Sequence, residues 1–427
     1  MKAWNNNLSD SWSQVTNMAS AAAPYFPEVG VIGLVPDRWE GVWQPRHQVM
    51  SRLARYFNVV WVTPAKGWRE SLLQQTESGF PQVEHPSGKN SFTVYRSGRT
   101  LPKLYRPEWI ANWFERLRLK QARLLLRDRG CTKVVLYLWR PEFAPSLDLV
   151  DHDLVCYHID DEYTFSVTEQ PLSKSEYSVI TRAHQVFIHS PALLEKKGGL
   201  NKHTKFVPNG VDYRTYASTQ PEPEDLKSIG HPRIGYIGVV KSQMDFDLLL
   251  TLTQRHPHWS FVIVGPRGHL EERDRRIIEM MEKRANVFFL GGKPVEALPA
   301  YVQHLDVCLM CYRVNDYTKY IYPLKLHEYL ASGHPVVGAS INSLQEFSRV
   351  VALAHTEDEW SSAIEAALRQ EMNTVEQIDA RRTVAQKHDW EALVAIIAGT
   401  MCARLGPEYQ QRFDQIVRPN ASTIVTG

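Results

Sequence analysis

Two α/β domains, each built on a parallel sheet, are what this sequence predicts, on three observations. Short continuous apolar runs, the mark of strands buried on both faces, alternate with helical stretches in both halves of the chain. A segment rich in Pro, Glu and Ser, 216–230, separates the halves. And 427 residues exceed what one ordinary core holds.

Composition narrows the class. Hydrophobic content of 43% and charged content of 22% are those of a soluble globular protein. A net charge of +2 points to no polyanion partner, and nucleic acid is not expected. Five cysteines, an odd and scattered set, argue against a disulfide framework and for a reducing compartment. Cys308 and Cys311 form a C-x-x-C, but within a strand they point to opposite faces, so both are read as core. No apolar run approaches the roughly 18 residues of a membrane span. Residues 1–24 lack the basic start and solid apolar stretch of a secretion signal, and are read as the flexible N-terminus of a cytoplasmic protein.

The first domain is expected over 25–215. Its opening strand is 29–35 (VGVIGLV), followed by the loop PDRWEGVWQPRHQ and a helix over 45–56 that starts on Pro45. NVVWVT, 58–63, is the second strand; 67–90 is polar and Gly/Pro-marked and reads as irregular; 91–96 is a further strand. Residues 96–129 carry ten Lys/Arg against three Asp/Glu, a local charge of +7. Within them Trp109, Ile110, Trp113, Phe114 and Leu117 fall at helical spacing. Such a helix can lie on an anionic membrane surface. The preferred alternative packs the aromatics into the core and solvates the charges. KVVLYLW (133–139) and LVCYHI (154–159) are strands, and the second runs into Asp160, Asp161 and Glu162. Acids just past the carboxyl end of a parallel strand lie where ligands bind in open α/β sheets. The same acids equally suit a helix cap. QVFIH (185–189) and 205–208 are the last strands, ending in the turn PNGVD.

The second domain is expected over 231–388. RIGYIG opens it, and its turn has a single glycine, Gly238, so it is no dinucleotide fingerprint. WSFVIV (259–264) ends at Gly265; 286–290 and 305–310 are further strands. The central stretch is YIYPLKLHEYLASGHPVV, 320–337. Pro323 suits a helix start, Gly333 and Pro335 end the helix, and Val336 begins a strand. Lys325 in the first turn is badly placed for the helix dipole, but well placed if a phosphate binds there. Glu328, one turn later, reaches a ribose hydroxyl pair. The helix over 390–405 begins at HDW, and 407–427 reads as a tail.

The pattern P-x-K-x-x-E-Y-L-A-x-G-x-P-V-V resembles the donor-binding signature of bacterial GT-B glycosyltransferases, above all the family 4-like (group 1) enzymes of cell-envelope polysaccharide assembly. PNGVD resembles the turn before the linker in that fold, and the acids after 154–159 fall on a similar stretch. The resemblance implies two Rossmann-like domains facing across a cleft, with the helix over 389–406 crossing back to the first. It implies a nucleotide-sugar donor, UDP- or GDP-linked, in the second domain and a glycan or lipid-linked acceptor in the first.

On that reading the donor contacts are Gly238, Lys241, Gly265, Arg313, Asn315, Thr318, Tyr320, Pro323, Leu324, Lys325 and Glu328. The acceptor-side candidates are Trp43, Arg46, His47 and His158. Asp160 or Asp161 is the general base of an inverting reaction, and Lys325 stabilises the leaving diphosphate. No metal and no cofactor beyond the donor are expected. The chain departs from the pattern at Val239 and Met244, where relatives carry phosphate-binding cations, and at Tyr320, where many carry a first glutamate. Retention of anomeric configuration is slightly favoured over inversion. Two other functions share the fold: a sugar-nucleotide 2-epimerase, and a non-catalytic protein that binds glycan or a partner.

Overall fold

The apolar runs become two parallel sheets. The structure, a computed structural model, describes residues 23–73, 80–86, 91–164, 170–369 and 373–421. The first sheet contains β1 (Phe26–Leu34), β2 (Phe57–Val62), β3 (Gln82–Glu84), β4 (Phe92–Arg96), β5 (Lys133–Leu138), β6 (Leu154–Ile159), β7 (Gln185–Ile188) and β8 (Thr204–Phe206). Their spatial order is β3-β4-β2-β1-β5-β6-β7-β8. All neighbours pair parallel except β3 with β4. The second sheet contains β9 (Arg233–Ile237), β10 (Ser260–Val264), β11 (Val287–Gly291), β12 (Val307–Met310), β13 (Val336–Ala339) and β14 (Val351–Ala354), in the order β11-β10-β9-β12-β13-β14. The winding direction reverses between β1 and β5 in one sheet and between β9 and β12 in the other, and those reversals are where open α/β sheets make ligand crevices.

Three expectations are corrected. The segment 67–90 is not wholly irregular, because β3 adds an exposed antiparallel edge to the sheet. The segment 216–230 is no free linker: Tyr216, Leu226 and Ile229 are buried in the second domain's core. The expected tail forms a helix, Pro407–Ala421, whose Tyr409 and Phe413 are buried beside Phe26, Tyr56 and Phe57 of the first domain. The expectation for residues 1–24 falls almost wholly outside the described residues.

The helix Trp390–Leu405 crosses back as expected. Trp390, Leu393, Ile397 and Met401 belong to the first domain's apolar cluster, although they follow the whole second domain in the chain. The two crossings lie side by side: Val211 N–H donates to His388 O at 2.9 Å, and Trp390 N–H donates to Val211 O at 3.0 Å. Gly210 allows this approach, since a Cβ there would stand 2.6 Å from the His388 carbonyl oxygen. The second domain returns the contact through Tyr320, which is buried in the first domain's other apolar cluster with Leu138, Tyr157 and Ile188.

The basic helix forms over Glu108–Arg127. Leu119, Ala122 and Leu126 face the core, whereas Trp109 is 72% and Trp113 54% exposed. Packing of these two tryptophans into the core, the preferred reading of the pattern, is therefore corrected. Both stand in the first two turns of the helix, whereas the buried residues stand in the later turns.

Candidate active site

Both reversal points deliver polar groups to one cleft. On the second-domain side, β9 ends at Gly238 and β10 at Gly265. A Cβ at Gly265 would stand 1.9 Å from the Gly238 carbonyl oxygen, and both residues hold positive φ, 150° and 152°. Only glycine meets both demands, so the two loops touch backbone to backbone. The space left is filled by Lys325: a Cβ on Gly238 would lie 2.7 Å from its Cε.

Lys325 stands in the first turn of the helix Leu324–Ser332, which Pro323 precedes in extended conformation (φ −73°, ψ 122°) and Gly333 ends in the left-handed region at φ 89°. Pro323 is thus the residue before the helix, one position earlier than N1. The Lys325 ammonium donates to the Tyr312 hydroxyl at 2.8 Å and lies over the Tyr236 ring, 5.0 Å from its centroid. Burial opposes its charge, and the faces of Tyr236 and Tyr312 with the Glu328 carboxyl keep it protonated. Burial pushes Glu328 up, against the pull of Lys325 and the Tyr216 hydroxyl.

Lys241 completes this corner. Burial and the neighbouring Lys325 charge push its ammonium down, and Asp161 pulls the other way. Among the described residues no group hydrogen-bonds or ion-pairs with the Lys241 ammonium. Two neighbouring ammonium groups at a helix N-terminus, with no carboxylate of the described residues within ion-pair distance, make a corner built for an anion.

On the first-domain side, Asp160 and Asp161 leave the end of β6, and Arg140 follows Trp139 beyond β5. Their environments differ. The Asp160 carboxylate ion-pairs with Arg46, which also holds Asp37, and its Oδ1 accepts from the Tyr163 hydroxyl at 2.7 Å. Burial pushes Asp160 up, but Arg46, Arg140 and Tyr163 together hold it below the ordinary carboxylate range. Asp161 is raised, by burial first and then by the Asp160 charge. Its Oδ1 accepts from Glu162 N–H at 2.8 Å and, across the cleft, from the Tyr317 hydroxyl at 3.3 Å. So Asp160 is an anchored anion, and Asp161 is the carboxyl that faces the second domain.

Several predicted site residues lie elsewhere. His47 is fully buried among Trp39, Trp43 and Trp61, its Nδ1 accepting from Gln44 N–H at 3.1 Å; burial holds it down to about 4. His158 is buried and stacked on Trp139 at 4.2 Å, its Nδ1 bonded to the Tyr137 hydroxyl at 2.9 Å; burial holds it down to about 3. Both are core groups rather than acceptor contacts. Trp43 is half-buried against His47, and Arg46 is committed to its two aspartates. Arg313 is bound to Asp274 at 2.7 Å, which removes it as a phosphate helper. Thr318 is fully buried and exchanges hydrogen bonds with Asn315, whose Oδ1 caps Tyr317 and Thr318 N–H; the pair shapes the loop. Tyr320 and Leu324 pack against first-domain clusters, which corrects their donor assignment. The structure does gather Gly238, Lys241, Gly265, Lys325, Glu328 and Asp161. Arg140, Tyr216, Tyr312 and Tyr317 were missed; only Arg140 carried a signal, a charge ending an apolar strand.

All five cysteines are free and buried, and among the described residues no cluster of three His, Cys, Asp or Glu is arranged to hold a metal.

Comparison with known proteins agrees with this geometry. Residues 231–370 match the family model described as glycosyl transferases group 1. A Bacillus subtilis (strain 168) protein, TuaH, named as a teichuronic acid biosynthesis glycosyltransferase, is 26% identical over 375 residues, 82% of this chain and 90% of its own. Among solved structures, the OtsA trehalose-6-phosphate synthase has a TM-score of 0.61 at 12% identity, covering 88% of this chain and 99% of that one. The Burkholderia multivorans α,α-trehalose 6-phosphate synthase has a TM-score of 0.58 at 14% identity, covering 95% and 99%. At such identities the likeness establishes the fold, which is GT-B.

Proposed function

We propose that this chain, whose fold is GT-B, is a group 1 glycosyltransferase that moves a sugar from a nucleotide-sugar to an acceptor in cell-envelope glycan synthesis. The observation that carries the donor half is the Lys241 ammonium, without a partner among the described residues, beside Lys325 at the helix N-terminus. A diphosphate there gains two ammonium groups and the helix dipole, and the charge that grows as it leaves is met by groups already in position. Glu328, one turn further along, takes the ribose. These cations supply the electrostatic role that a divalent ion plays in other transferases, so the reaction is read as needing no metal. UDP and GDP are the donor carriers proposed.

The acceptor enters from the first domain, against Asp161. We adopt retention, the outcome the resemblance favours, in which Asp161 orients the acceptor hydroxyl and the lysine corner carries the catalysis. Inversion would make Asp161 the general base. The anomeric signal of the product in a proton NMR spectrum separates the two.

The exposed Trp109 and Trp113, with Arg116 and Lys120 exposed beside them, support a lipid-linked acceptor met at an anionic membrane surface. Among the described residues no helix is long and apolar enough to cross a membrane.

The test is nucleotide binding by calorimetry. Lys241→Ala and Lys325→Ala should each weaken UDP or GDP binding, whichever the native protein prefers, by about 10- to 150-fold, the worth of a charge-assisted hydrogen bond. Native affinity in both variants would defeat the donor-site assignment.

A further inference from the structure

Arg140 stands at the first sheet's reversal point with its hydrogen-bond donors unspent. Arg46, its neighbour at that rim, is committed to Asp37 and Asp160. Arg140 is half-buried, and no described residue hydrogen-bonds or ion-pairs with its guanidinium. The guanidinium lies over the face of the Tyr163 ring, 4.5 Å from the centroid. That ring is fixed, because its hydroxyl donates to Asp160 Oδ1 at 2.7 Å and lies 3.0 Å from Trp139 O. A guanidinium resting on a fixed aromatic face keeps its in-plane donors free, and their fork matches a carboxylate or a phosphate.

The nearby carboxylates do not use that fork. Asp160 is held by Arg46 and Tyr163, and Asp161 by Glu162 N–H and Tyr317. Arg140 acts on both aspartates and on Tyr317 only through its field, which places it between the two walls of the cleft. Lys241 and Lys325 already serve the donor side. A guanidinium whose donor fork no described residue uses therefore remains on the acceptor side.

We infer that Arg140 binds an anionic group of the acceptor, a carboxylate or a phosphate, so that the acceptor is an acidic sugar rather than a neutral one. This deepens the glycosyltransferase reading and rests on it for the word acceptor.

The test uses the whole protein with its nucleotide site saturated by UDP or GDP, and three probes: glucuronate, glucose 6-phosphate and glucose. Calorimetry should show at least one of the two anions binding about 10-fold or more tightly than glucose. Arg140→Gln should reduce both anions to the level of glucose, and Arg140→Lys should restore part of the preference, since it keeps the charge and loses the fork. The ranking of glucuronate against glucose 6-phosphate tells a uronate from a sugar phosphate. Equal binding of glucose and both anions to the native protein, no binding of either anion at about 10 mM, or an anion preference that survives Arg140→Gln overturns the inference. UDP and GDP affinity is measured on the same samples. Lost nucleotide binding in the native protein defeats the glycosyltransferase reading, whereas lost anion preference with intact nucleotide binding in Arg140→Gln belongs to Arg140 alone.

Discussion

The Tyr317 hydroxyl of the second domain donates to Asp161 Oδ1 of the first across 3.3 Å. The Asp161 carboxyl is thus held from both walls of the cleft, while its neighbour Asp160 is held from one. The two aspartates should respond to replacement in opposite ways.

Asp161→Asn should lower transfer by about 10- to 150-fold, the worth of one charge-assisted hydrogen bond, and leave nucleotide affinity and melting temperature near native. A loss near 10⁴-fold would make Asp161 a general base and favour inversion. Asp160→Asn leaves buried Arg46 with Asp37 alone, so it should cost roughly 3–5 kcal/mol of stability, read by chemical denaturation. Native stability in Asp160→Asn would show that the Arg46 pair does not anchor the loop.

Acid should destabilise the first domain through its buried histidines. Burial holds His47 down to about 4 and His158 to about 3. In the unfolded chain both titrate near 6.5, so as pH falls below that value the unfolded state takes up protons that the folded state refuses. Stability is full above about pH 6.5 and is lost progressively toward pH 4. His158→Phe should flatten that slope; a slope identical to the native one would remove His158 from the account.

Gly265→Ala should be among the most damaging single-methyl changes, since the added Cβ meets backbone, the Gly238 carbonyl oxygen, at 1.9 Å. Either loop must move, and Lys325 lies against Gly238. Nucleotide affinity and melting temperature should fall together. Gly230→Ala, where a Cβ meets nothing within 4 Å, is the control. Equal behaviour of the two variants would mean that the loops do not need their close approach.

Membrane contact should run through Trp109 and Trp113. Their joint replacement by alanine should reduce binding to vesicles containing phosphatidylserine, and binding by the native protein should weaken with salt. Arg116→Gln with Lys120→Gln should cost about 1 kcal/mol per residue near the surface. Arg118 is excluded from that face, because it is buried and donates to Leu101 O at 3.0 Å and Pro102 O at 2.9 Å. Binding that ignores both charge and tryptophan would leave the helix as an ordinary surface element.

The strands were legible because most are buried on both faces and so read as unbroken apolar runs. β3 and β14 escaped, being a three-residue exposed edge and a four-residue run of small and aliphatic residues. Lys325 and Glu328 were legible because a helix fixes their spacing and a cation in its first turn conflicts with the dipole. Tyr312 and Tyr317 had no such mark: each matters through a partner outside its own element, Tyr312 through Lys325 and Tyr317 through Asp161 in the other domain. His47, in the first turn of a helix, and His158, near a strand end, misled for the same reason, since a histidine in sequence looks alike whether it meets solvent or a tryptophan.

The helices Trp390–Leu405 and Pro407–Ala421 belong to the first domain's core but follow the second domain in the chain. During synthesis the first sheet therefore emerges with Phe26, Tyr56 and Phe57 uncovered, and they stay so until the second domain has been made. The usual order, in which an N-terminal domain finishes folding before its successor, cannot hold here. A nascent chain halted at residue 388 would carry an unsealed apolar surface, a natural target for a ribosome-bound chaperone. The second domain's cluster, drawn from Val211–Ala385, contains no residue that follows those helices' start, so it does not share this dependence.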